Sequence, residues 1–121
     1  MMKEEIKTVK KVWGKEVIIV NREEYCGKLL LVDSGAQSSY HYHRRKIETF
    51  YALKGTIALT IDKKDYMLTP FSRPKTIMPN QLHMFTSLGV IDAVILEIST
   101  HHNEKDVIRE TESKCSPTKK L

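Results

Sequence analysis

The stretch 35–55, GAQSSYHYHRRKIETFYALKG, constrains the chain more than any other. His41 and His43 stand one residue apart, and on an extended strand the side chains at i and i+2 leave the same face. Two imidazoles aimed at one point begin a metal site. Glu48 follows after the gap RRKI, which is long enough to bend and bring a neighbouring strand alongside. Gly35 and Gly55 close the stretch at positions where turns must admit positive φ or close backbone approach. Further on, MPNQLHMFTS (78–87) places His83 just after Pro79 and Asn80, a turn-forming pair that delivers the histidine from a tight bend. His41, His43, Glu48 and His83 then make three imidazoles and one carboxylate. Such a set suits a divalent transition metal: Zn, Mn, Fe, Co or Ni.

The rest of the chain reads as short strands. Runs rich in Val, Ile, Leu, Tyr and Thr occupy 16–21, 25–33, 39–43, 48–53, 56–61, 75–78, 83–87 and 92–99. Turn formers at Asn21-Arg22, Asp33-Ser34-Gly35, Lys54-Gly55 and 62–65 separate them. Regular short strands predict an all-β sandwich or barrel. Residues 1–12 read as a solvated lead-in. The segment NEKDVIRE (103–110) predicts one or two helical turns, with Asn103 as N-cap and Asp106 three residues on. The polar end, 113–121, is expected to be a disordered tail behind a single domain spanning 1–112.

Bulk properties narrow the classes of function. A chain of 121 residues buries one continuous core and leaves no room for a second catalytic domain. Cys26 and Cys115 lie far apart in no metal-ligand spacing, which argues against a disulfide framework and for a reducing, cytoplasmic setting. No apolar run reaches signal or membrane-span length, so no membrane partner is expected. The net charge of +5 favours an anionic partner, but the basic residues are scattered and aromatics are few. Nucleic acid is therefore not expected, and a phosphorylated small molecule is.

These residues resemble the cupin superfamily. Its first motif, G(X)5HXH(X)3-4E(X)6G, is matched by Gly35, His41, His43, Glu48 and Gly55. Its second is matched in His83, while Met78, Asn80 and Ser87 stand where proline, glycine and asparagine are usual. The resemblance implies a cupin-type double-stranded β-helix, a jelly-roll barrel of two antiparallel sheets. It also implies a metal on His41, His43, Glu48 and His83, and a homodimer. A narrower likeness is to the cupin domain of type II mannose-6-phosphate isomerases. It rests on Trp13-Gly14-Lys15-Glu16 and on the closing stretch LEISTHHNEKDVIR (96–109), with Glu104, Asp106, Val107 and Arg109 in an E-x-D-V-x-R ending. That family places a basic residue between the histidines and the glutamate, a role open here to Arg44 or Lys46.

What the resemblance implies is a metal-dependent isomerase of mannose and fructose, or of their 6-phosphates, working through an enediolate. Glu48 and Lys46 are the candidate bases, and Arg73, Lys75 and Arg109 the candidate cations for a phosphate. A small-molecule oxygenase and a non-catalytic sugar-binding protein are compatible with the same four ligands. Tyr40, Tyr42 and Tyr51 alternate with the ligands and are expected to face away from them. The neighbours His101 and His102 point to opposite faces of an extended chain, so they make a poor chelate and are expected at the surface or a dimer contact.

Overall fold

A computed structural model describes residues 5–117 and contains eleven strands and one 3-10 turn. The strands are β1 (Lys7–Lys11), β2 (Gly14–Asn21), β3 (Cys26–Val32), β4 (His41–His43), β5 (Glu48–Lys54) and β6 (Thr56–Ile61). They continue with β7 (Lys64–Leu68), β8 (Lys75–Ile77), β9 (His83–Leu88), β10 (Ala93–Ser99) and β11 (Val107–Arg109). The first sheet runs β1-β2-β3-β10-β5-β8 and the second β11-β4-β9-β6-β7, with every pairing antiparallel. This is the two-sheet cupin architecture, an open jelly-roll barrel.

Alternation explains how the sheets close on a core. Along β3, β6, β9 and β10 buried and half-buried residues alternate almost without a break, so each strand gives one face to the interior. Val32, Ala52, Ile57, Leu59, Ala93 and Ile95 fill it, each 1 % exposed or less. The inward face changes character along the strands. Leu30 and Val32 give way to Lys28 on β3, Ile95 to Glu97 on β10, and Phe50 to Glu48 on β5. Register stacks these changes at one end, because Glu97 pairs with Lys28 on one side and Phe50 on the other, and Ser99 pairs with Glu48. One end of the barrel is therefore an apolar plug and the other a polar chamber.

Both motif glycines hold the expected conformation, Gly35 at φ 76° and Gly55 at φ 80°. At Gly55 a side chain would also meet the Ala93 backbone, since its Cβ would lie 3.0 Å from the Ala93 Cα. Asn80 adopts φ 69° and so takes over the left-handed turn position where the cupin pattern has glycine.

Three local expectations give way. The lead-in forms β1, a full strand against β2, because a neighbour offers a hydrogen-bonding edge that local sequence does not disclose. The turn expected at 62–65 is tighter: only Asp62 and Lys63 have positive φ, and β7 starts at Lys64. The predicted helix is a single 3-10 turn, Glu104–Asp106, capped by Asn103, whose side chain accepts from the Lys105 N–H. The chain then joins the second sheet as β11 beside β4. The tail is anchored as far as it is described: Lys114 and Gln37 exchange two backbone hydrogen bonds and Ser116 is buried. Residues 118–121 lie outside the described residues.

Candidate metal centre and its charged chamber

The second sheet supplies the imidazoles. His41 on β4 lies directly opposite His83 on β9, and His43 follows two residues along β4. Their ligand atoms all lie within 4.8 Å of one another, a cluster able to hold a metal ion. Hydrogen bonds fix two of the rings. His41 Nδ1 lies 2.8 Å from the Ser39 carbonyl and His83 Nδ1 2.8 Å from the Gln81 carbonyl. A carbonyl only accepts, so each Nδ1 carries a proton, and on the neutral His41 ring the Nε2 lone pair is left to ligate. The turn carrying His83 is tied to the ligand strand, as the Asn80 N–H donates to the His43 carbonyl at 2.7 Å.

The first sheet supplies the charges. Glu48 Oε1 stands 2.8 Å from His83 Nε2, and its Oε2 stands 3.4 Å from His43 Nε2. Lys46, 4 % exposed in the turn between β4 and β5, places Nζ 3.0 Å from Glu48 Oε2 and 2.7 Å from Glu97 Oε2. The same Nζ lies 3.3 Å from His102 Nδ1, while His102 Nε2 lies 2.7 Å from Glu104 Oε1. Lys28 and Glu16 form a second pair at 3.1 Å. Asp106 holds the turn by accepting the backbone N–H groups of Arg44, Arg45 and Lys46 at 3.0–3.2 Å.

Burial and charge set the protonation states. Burial, aided by the nearby His83, holds His41 down at about 3. Burial likewise brings His43 to about 4 against the pull of Glu48. Both are neutral imidazoles at physiological pH, the form that ligates. Burial opposes the charge on Lys46, but Glu97 and Glu48 outweigh it and raise its pKa. Burial also works against a charged Glu48, yet His83 and Lys46 hold its carboxyl well below the usual range. Glu97 moves the other way, raised by burial and by the charge of Glu48.

The donor set fits a divalent cation. Among the described residues, His83 Nε2 and Glu48 Oε2 are buried polar atoms without a hydrogen-bond partner beside the imidazole cluster, and a cation held there would engage both. The buried charges Glu16, Glu48 and Glu97 against Lys28 and Lys46 also leave one carboxylate in excess, which a cation would balance.

The centre opens into a cavity of about 320 Å³ walled by Trp13, Phe50 and Phe85 and by both lysine pairs. Trp13 meets Phe85 edge-on at 5.0 Å between centroids. Lys10, Lys11 and Arg109 also line the cavity, and Arg109 pairs with His41 across β11 and β4.

Of the residues singled out from sequence, His41, His43, Glu48, Lys46 and Arg109 line this cavity, and His83 sits behind them against His41 and Glu48. Arg44 does not: it is exposed and engages Asp106 through its backbone. Arg73 is exposed away from the cavity, and Lys75 sets its ammonium 3.9 Å from the centre of the Tyr66 ring. The tyrosines stay out of the cavity as expected, with Tyr40 accepting from the Lys63 N–H and Tyr51 donating to the Pro70 carbonyl. His101 and His102 diverge, as adjacent residues should, but His102 turns into the cavity rather than to the surface.

Glu16, Lys28 and Glu97 were missed. A signal existed for two of them: Lys28 and Glu97 fall on the inward register of otherwise apolar strands, where an unpaired charge is not tolerated.

The family model described as "Mannose-6-phosphate isomerase C-terminal" matches residues 2–112. No curated protein gives a significant match. Solved structures share the fold at low identity. The capsular polysaccharide assembling protein CapF from Staphylococcus aureus aligns with TM-score 0.78 at 15% identity, over 89% of this chain and 34% of its own. Streptomyces Pac13 bound to uridine aligns with TM-score 0.77 at 15% identity, over 93% of both chains. KdgF from Halomonas sp. aligns with TM-score 0.68 at 15% identity, over 75% of this chain and 81% of its own.

Proposed function

We propose, for a chain that belongs to the mannose-6-phosphate isomerase C-terminal family, a metal-dependent aldose–ketose isomerase acting on mannose and fructose or their 6-phosphates. The observation that carries this reading is the convergence of the His41–His43–His83 imidazole cluster and the buried Glu48–Lys46–Glu97 cluster beside one cavity of about 320 Å³. That volume falls in the range of small-molecule sites, ~300–1,000 Å³.

His41, His43 and His83, together with Glu48, would hold the metal. Bound there, a divalent cation supplies Lewis-acid stabilisation of negative charge on adjacent sugar oxygens. The remaining work falls to the chain's own side chains. Lys46 is a fixed ammonium between two carboxylates and can donate to a substrate oxygen as it gains charge. Glu97 stands outside the imidazole cluster and lines the cavity, so its carboxylate is the group assigned to take the proton from carbon 2 and return it to carbon 1 through the enediolate. Trp13, Phe50 and Phe85 keep water from the proton in transit. Lys46, and not Arg44, fills the role of the basic residue between the histidines and the glutamate. A cytoplasmic homodimer built from the single domain 1–112 belongs to the same proposal, and sedimentation of the purified protein tests its assembly.

The deciding experiment loads the protein with Mn, Co, Ni or Zn and follows proton exchange in deuterated water, at carbon 2 of aldoses and carbon 1 of ketoses, across a panel of sugars and sugar phosphates. Exchange with mannose, fructose or a 6-phosphate is expected. Oxygen consumption by an Fe-loaded sample without exchange would replace this reading with an oxygenase. Sugar binding with neither reaction would make the protein a non-catalytic sugar binder.

A further inference from the structure

Lys28 and Glu16 have no part in the mechanism above, yet they are among the most buried charges in the protein. Lys28 is 1 % exposed and Glu16 8 %. They sit on neighbouring strands of the first sheet, and both line the cavity whose other wall carries the histidines. An ammonium has three N–H donors, and buried donors are ordinarily satisfied. Among the described residues the Lys28 ammonium donates one hydrogen bond, to Glu16 Oε1 at 3.1 Å. Donor capacity therefore remains on a group that faces a chamber large enough for a ligand.

We propose that Lys28 and Glu16 form a clamp for sugar hydroxyls, reading carbons beyond the pair that reacts. The proposal rests on the reading of the site as a sugar site and names the part of the substrate it recognises. A hydroxyl is both donor and acceptor, and the pair offers a cationic donor and an anionic acceptor 3.1 Å apart, so one hydroxyl or two neighbouring ones can bridge it. The pair neutralises itself, which suits an uncharged polyol segment better than a phosphate. Lys10, Lys11 and Arg109, for which no ion pair with a buried carboxylate is found among the described residues, line the same cavity, and an anionic group of the substrate belongs with them. The substrate class is thus a sugar with free hydroxyls between the reacting carbons and any phosphate.

The test reads binding and not turnover. Trp13 is the only tryptophan and lines the same cavity, so its fluorescence reports occupancy. The metal-loaded protein is titrated with fructose, mannose, their 6-phosphates and a series of monodeoxy analogues. At least one analogue is expected to bind roughly ten- to hundred-fold more weakly than its parent, the effect of losing a hydrogen bond to a charged group. In the double variant Glu16→Gln/Lys28→Met the parent sugar should weaken by the same factor and the discrimination should vanish, with metal content by elemental analysis unchanged. Removing both charges together avoids a lone buried ion. Should that variant not fold, Glu16→Asp, which keeps the charge and shortens the reach, carries the same comparison. Parent binding equal to native, discrimination that persists in the variant, or no sugar binding by the native protein overturns the clamp. Intact discrimination without proton exchange at carbon 2 of aldoses or carbon 1 of ketoses overturns the isomerase reading and leaves the clamp standing.

Discussion

Lys46 Nζ lies 2.7 Å from Glu97 Oε2, joining the turn between β4 and β5 to β10 across the polar end of the barrel. Each residue is 4 % exposed, and Glu48 completes the ion cluster from the other side at 3.0 Å. Breaking such a cluster by removing one partner strands a buried charge. Lys46→Met leaves Glu48 and Glu97 facing each other and should destabilise the metal-free protein by about 3–5 kcal/mol, read as a lower denaturant midpoint with unchanged slope.

Glu97→Gln is the complementary change. It keeps the shape, leaves Lys46 paired with Glu48 and touches none of the imidazoles. Metal content should stay at the native level while the isomerisation rate drops by about 10²–10⁴, the usual worth of a positioned proton acceptor. A rate within a factor of two of native would assign the proton transfer elsewhere.

His83→Ala removes an imidazole whose tautomer is fixed by the Gln81 carbonyl and whose Nε2 is directed at the cluster. Bound metal after dialysis against a competing chelator should fall by at least about ten-fold in affinity. Full occupancy in the variant would strike His83 from the ligand set.

The histidines also predict an acid sensitivity of the metal-free protein. Their folded pKa values, about 3 for His41 and about 4 for His43, lie below the ordinary value of 6.5. Between those limits the unfolded chain binds more protons than the folded one, so stability rises with pH across that window and is lost as pH falls from 6.5 toward 4. Urea titrations at pH 7, 6 and 5 check the sign. A flat profile over that range would contradict it.

Asp106 gives a prediction at the periphery of the site. Three backbone N–H groups converge on its carboxylate; burial, the largest single influence, raises its pKa, but the bonds from Arg45, Arg44 and Lys46 together outweigh it and give a net lowering. Its contribution is present above the ordinary carboxylate pKa and disappears as pH falls through the lowered one. Asp106→Ala should cost about 1–2 kcal/mol, as loss of a helix-type cap does, and should loosen Lys46 because the same turn carries it. Thermal denaturation measures the first effect, and amide hydrogen exchange at Arg45 and Lys46 measures the second.

What the sequence determined by itself was whatever depends on neighbours along the chain. Strand alternation places His41 and His43 on one face, turn chemistry sets Gly35, Gly55 and Asn80 at positive φ, and short β-rich runs specify an all-β fold. Such features are local, with a range of two to four residues, so a single chain displays them. The tertiary structure decided what depends on pairing. Register alone brings Glu97 opposite Lys28, lays β11 beside β4 so that Arg109 reaches His41, and turns His102 toward Lys46. It also moves the candidate phosphate cations from Arg73 and Lys75 to Lys10 and Lys11, because β1 gains its order only from the edge of β2. The candidate imidazole pair His41 and His43 was legible because its spacing is the strand period. The charged chamber around them was not, because its members are joined through space by hydrogen-bonded registers that no local pattern encodes.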